Sequence, residues 1–249
     1  VTIAPRAKSY GTISPGQTGV NTFILTVPAT QGLGVPVVLS AKVTFAGSLS
    51  PTTAQFPISI GQPSPVAKDF AYAGAPVAIP DNSPLGASVP VEVSGIGSAS
   101  KLTVSVDGTT CGTDANSTAV GLNHSYVADL VGTITSPTGA KATLFGRNGG
   151  SGNNLCQVVF ADAAAQPFSS VGSAGAPFTG TWRSTNPLGP LTGAGVDGTW
   201  TLTVVDVAGG DSGFIRSVSL HLNGFVQPGP AERPATVNRN RHSGPVRPV

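Results

Sequence analysis

The segment Val207-Ala208-Gly209-Gly210-Asp211-Ser212-Gly213 sets a serine between an acid and a glycine. That spelling suits an activated nucleophile only if a histidine and a second acid can reach the hydroxyl. The chain has three histidines. His124 precedes a strand-like stretch, His221 points away from Leu220 and Leu222 in an alternating run, and His242 lies near the C-terminus. No spacing commits any of them to Ser212.

Cations offer a second chemistry. A hard cation takes several oxygen ligands from carboxylates and loop carbonyls. Asp81, Asp129, Asp206 and Asp211 stand at strand ends or turns, and they are the expected calcium ligands if the chain holds one. The same positions suit aspartates that accept local backbone N–H groups, so both roles stay open. Asn82 and Asp162 occupy similar places, and Asn153 and Asn154 fill a Gly-rich loop where an acid would have strengthened a site.

Other chemistries find little support. Glycoside hydrolysis needs two carboxylates across a cleft, and the chain has only two glutamates, Glu92 and Glu232. The loop "GRNGGSGNN" lacks the Lys-Ser/Thr ending of a phosphate loop. Cys111 and Cys156 are the only cysteines; without Cys/His clusters a structural zinc site is not expected. A disulfide between them would stabilise by roughly 3–4 kcal/mol and implies an oxidising, extracellular setting. Asn116-Ser117-Thr118 and Asn123-His124-Ser125 match the N-glycosylation pattern, which short sequences meet by chance, and neither is assigned a role from sequence.

The elements that must position these residues read as β-strands. The 249 residues include 33 glycines and 22 prolines, with 10% charged residues and no methionine. Long helices are hard to place among so many breakers, whereas short strands and turns fit. "TFILTV" alternates Phe23, Leu25 and Val27, and "VVLSAKVTF" alternates Val37, Leu39, Ala41, Val43 and Phe45. Period-two alternation predicts strands with one buried face, here a small β-sandwich over 1–62. Residues 63–75, rich in Pro and Ala, are the expected linker.

Residues 76–225 predict a second sandwich. Its inward residues are expected to be Leu102, Val104 and Val106, then Leu130 and Ile134, then Trp200, Leu202 and Val204, then Val218, Leu220 and Leu222. Residues 226–249 carry five prolines and no apolar periodicity. Such a tail does not fold alone, and Arg233, Arg239, Arg241 and Arg247 would make it a partner-binding arm docked on a neighbouring copy.

The net charge of +2 divides into +3 over 1–75, −4 over 76–225 and +3 beyond. No basic stripe with a reading element appears, so nucleic acid is not an expected partner. No apolar run approaches the ~20 residues that span a membrane. The chain begins at Val1 without a signal peptide, as expected of a processed secreted product or a piece of something longer.

The second unit resembles the P domain (P/Homo B domain) of proprotein convertases and secreted bacterial proteases. The stretches that carry the resemblance are "IPDNSPLG" (79–86), "LNHSYVADLVGTITSPTGAKATLF" (122–145), "RNGGSGNNLCQVVF" (147–160), "PFTGTWRSTNPLGPLTG" (177–193) and "DGTWTLTVVDVAGGDSGFIRSVSLHL" (197–222). The resemblance implies a jelly-roll β-sandwich without catalytic residues, calcium sites in some members, and a hairpin turn at 209–213. In that family the domain follows a protease catalytic domain and stabilises it. Residues 1–62 look like the immunoglobulin-like modules of secreted bacterial proteins. Gly-Asp-Ser-Gly also surrounds the nucleophile of trypsin-like proteases, but there a further glycine follows, whereas here Phe214 does.

These readings predict an all-β protein without an active site, secreted or at the cell surface, working with protein partners. The first expectation is a binding and stabilising accessory module of an extracellular protease. The alternative is a structural subunit of an extracellular assembly, with further copies of itself as partners, which the sparse charge favours. A hydrolase using Ser212 is the remote third reading.

Overall fold

A computed structural model of the chain describes residues 1–227. Arg233, Arg239, Arg241 and Arg247, the expected partner-binding arginines, lie outside the described residues. The architecture is all-β: the helical segments among the described residues are four single-turn 3-10 pieces of three residues each.

Two sheets carry the fold. The larger runs in the order Lys68–Ala71, Val218–Asn223, Lys101–Val106, Leu155–Phe160, Leu122–His124, Gly213–Ile215 and Val77–Ile79, with Phe178–Trp182 added in parallel to Leu155–Phe160. The smaller runs Lys141–Gly146, Leu130–Thr135, Gly198–Asp206, Ser83–Val93. Alternation puts one side chain in two on the inner face of each sheet, and both inner faces contribute to one core. Leu102, Val104, Val106, Leu130, Ile134, Trp200, Leu202, Val204, Val218, Leu220 and Leu222 are all buried there, as the pattern predicts. Phe145, Phe160, Phe168 and Phe178 join them, with neighbouring ring centroids 5.5–6.0 Å apart. Trp200 buries its ring and satisfies its N–H by donating to Val196 O at 2.8 Å.

The expected linker differs from what forms. Lys68–Ala71 pairs along Val218–Asn223 as an edge strand, Phe70 and Tyr72 pack on the core, and Gln62–Pro63 pairs with Phe225–Val226. Four residues are too few for alternation to register in sequence, but an edge strand needs only one partner, and Phe70 supplies an apolar anchor.

Residues 1–62 also differ in detail. Thr2–Ala4 pairs with Ile24–Thr26, and Pro36–Val43 pairs with Thr52–Ser59, as two separate two-stranded ladders. No residue before Ile79 reaches full burial; Val37, Leu39 and Ala41 are half-buried, while Phe23, Val43 and Phe45 are exposed. A two-stranded ladder covers neither of its own faces, so period-two alternation here marks strands without a closed core.

Candidate functional site

The Gly209–Gly213 segment does not close a hairpin. The strand before it, Gly198–Asp206, belongs to the smaller sheet, and Gly213–Ile215 belongs to the larger. The segment crosses from one sheet to the other at one end of the sandwich. A crossing needs a sharp change of direction, and Gly210 makes it at φ +108°, a conformation that L side chains rarely adopt. Gly213 is needed for space: a Cβ there would overlap the backbone oxygen of Asn123.

All four aspartates expected to bind calcium gather at this crossing, each in a different way. Asp81 accepts from Gly210 N–H with both carboxylate oxygens, at 3.1 and 3.2 Å. Asp206 ends its strand with Oδ1 accepting from Ala208 N–H at 3.1 Å and Oδ2 facing His124 Nε2 at 3.1 Å. Asp211 accepts from the Ser125 hydroxyl. Asp129 takes Val207 N–H on its backbone carbonyl at 2.9 Å. Its side chain accepts no hydrogen bond among the described residues, although the residue is only 8% exposed. Burial raises the Asp129 carboxyl above the ordinary carboxylate range, the charges of Asp206 and Asp211 add to the rise, and His124 and Arg147 oppose it.

Among the described residues no group of three or more His, Cys, Asp or Glu side chains is arranged to hold a metal ion. The acids are brought together around one loop, and the contacts they make are mainly to that loop's own donors.

Ser212 is exposed, and His124, which pairs with Gly213 across the ladder, has both ring nitrogens engaged elsewhere. His124 is fully buried, its Nε2 donates to Asp206, and its Nδ1 faces the backbone of Tyr126 at 2.9 Å. Asn154 Oδ1 accepts from His124 N–H, fixing the strand that carries the ring.

A different Ser–His–Asp sequence of contacts exists on the outer face of the larger sheet. Ser105 Oγ lies 2.9 Å from His221 Nε2, and His221 Nδ1 lies 2.7 Å from Asp69 Oδ1. The order matches a catalytic triad, but the setting does not. Ser105 is 5% exposed near the end of the strand Lys101–Val106 and sits closer to Asp107 Oδ1 than to the imidazole. Asp107 Oδ2 also accepts from Ser217 at 3.1 Å and Ser219 at 2.8 Å. The array ties three strands and the following loop together through charge-assisted hydrogen bonds. Its sequence signal was the polar alternation within "SVSLHL" and "KLTVSVD"; Asp69, from the expected linker, carried none.

Cys111 and Cys156 are disulfide-bonded, closing a separation of 45 residues. Cys156 is buried beside Gly108, and the span between includes the turn with Asn116.

No protein-family profile matches the chain. A curated relative, leupeptin-inactivating enzyme 1 of Streptomyces exfoliatus, is 27% identical over 160 residues. The match covers 64% of this chain and 27% of that enzyme, so the chain spans about a quarter of its relative's length. A solved structure of an Aeromonas sobria serine protease in complex with its chaperone aligns with 79% of this chain and 28% of that one, at 18% identity and a TM-score of 0.36. The chain therefore has weak homology to leupeptin-inactivating enzyme 1, in an all-β fold with an internal disulfide.

Proposed function

We propose that the chain is a non-catalytic β-sandwich module of the P-domain type, working as a binding and stabilising accessory of an extracellular protease. The observation that carries this reading is the 160-residue match to leupeptin-inactivating enzyme 1. Support comes from the sandwich core and from the crossing loop, where no histidine among the described residues bonds Ser212 while Asp81 and Asp206 accept backbone N–H groups of the loop. The disulfide fits an oxidising compartment. No helix among the described residues is long and apolar enough to cross a membrane.

The test is made on the polypeptide that encodes this module. A peptidase domain in the same reading frame, whose activity at raised temperature decays faster once residues 64–227 are deleted, is the expected result. A reading frame without a peptidase domain, or an unchanged half-life, would overturn the proposal.

Calcium belongs to the proposal as a ligand at the crossing loop. Its support is Asp129, whose side chain accepts no hydrogen bond among the described residues and whose carboxyl is raised above the ordinary carboxylate range by burial and by the neighbouring charges of Asp206 and Asp211. Occupancy at one hundred times Kd would add about 2.7 kcal/mol of stability, read as a Tm several degrees higher in calcium than in chelator. Identical melting curves in the two buffers would remove calcium from the account.

A further inference from the structure

The fold separates the two Asn-x-Ser/Thr sequences. Asn123 lies within Leu122–His124 and is 3% exposed. Both ends of its amide are engaged: Nδ2 donates to Ala115 O and Oδ1 accepts from Arg216 Nε, each at 2.8 Å. Attaching a sugar to Nδ2 would break the first bond and force a large polar group into a packed sheet.

Asn116 has the opposite surroundings. It is exposed, it lies outside the strands at a turn, and its side-chain amide makes no hydrogen bond among the described residues. The backbone beneath it is held in place. Asn116 N–H donates to Asp114 Oδ1 at 2.9 Å, and Ser117 N–H donates to Asp114 O at 2.9 Å. Asn153 and Asn154 side chains donate to Thr113 O, Gly112 O and Asp114 O at 2.7–2.9 Å. The nearby Cys111–Cys156 disulfide anchors the base of the segment. The loop therefore presents one free carboxamide at its tip on a braced support, with Thr118 exposed two residues on.

We propose that Asn116 is an N-glycan acceptor and that Asn123 is not. The co-substrate class is an oligosaccharide linked through pyrophosphate to a lipid. The bond from Asn116 Nδ2 to the sugar C1 forms as the C1–oxygen bond to the pyrophosphate breaks; Nδ2 gives up one proton, and the lipid pyrophosphate leaves with the bonding pair. This proposal does not depend on the accessory-module reading, only on passage through a secretory compartment with such a donor.

The test is secretion of the full 249-residue chain from a eukaryotic host, followed by enzymatic deglycosylation in heavy-oxygen water and peptide mapping. The expected result is a mass loss on deglycosylation, heavy-oxygen aspartate at position 116 in most chains, and unmodified Asn123. Asn116→Gln should abolish the mass loss with Tm unchanged, since the exposed side chain makes no hydrogen bond among the described residues. A secreted, folded chain with Asn116 unmodified, or with a glycan on Asn123, overturns the proposal.

Discussion

Asp129 has a carboxylate that accepts no hydrogen bond among the described residues and lies close to the charges of Asp206 and Asp211. Its carboxyl titrates above the ordinary 3.8 in the fold, so the ionised form is penalised there relative to the unfolded chain. The favourable contribution is full below pH 3.8 and is lost as pH rises through the raised value. In chelator, Asp129→Asn should therefore raise Tm at pH 7, by about 2 °C. The gain should vanish on acidification below the carboxylate range. A lower Tm for the variant at pH 7 would show that the carboxylate has a partner the fold depends on. In the Gly-Asp-Ser-Gly turn the glycine should matter and the serine should not. Gly213→Ala forces a Cβ against Asn123 O and should lower Tm by about 5–10 °C. Ser212→Ala, at an exposed site, should stay within about 1 °C. Thermal melts of the two variants check the pair.

At the scale of elements, the strand Lys68–Ala71 is held by its ladder to Val218–Asn223, by Phe70 on the core and by the Asp69–His221 contact. His221→Ala should remove its bonds to Asp69 and Ser105, each worth about 1 kcal/mol. The expected signature is faster deuterium uptake at 68–71, with uptake in the central strand Lys101–Val106 unchanged; unaltered uptake at the edge would make the contact incidental. The same strand shows what the sequence leaves hidden. Runs of six or more residues, such as Lys101–Val106 and Gly198–Asp206, declare both their strand character and their buried face by alternation. Lys68–Ala71 is too short to do so, and its pairing is non-local. Residues 36–59 fail in the other direction: the alternation is genuine, but it cannot say whether anything covers the face. The gathering of Asp81, Asp129, Asp206 and Asp211 around one loop was legible as candidate residues. That Asp206 is paired with the buried His124, and that the loop changes sheets, was not, because both depend on which strands end together.

At the scale of the whole molecule, the account is of a sandwich whose acids and hydroxyls are spent on holding its own loops. The two serines that invite a catalytic reading illustrate this. At the crossing loop no histidine among the described residues bonds the serine, and on the outer face the serine that has one is buried and bonded to Asp107. Binding rather than bond cleavage is the central claim, and an active-site serine probe tests it most directly. A fluorophosphonate label combined with turnover of fluorogenic peptides reads both serines at once in the purified chain. The account predicts no label on Ser212 or Ser105 and no turnover above blank. Labelling of either serine, with turnover abolished by the matching Ser212→Ala or Ser105→Ala substitution, would contradict it.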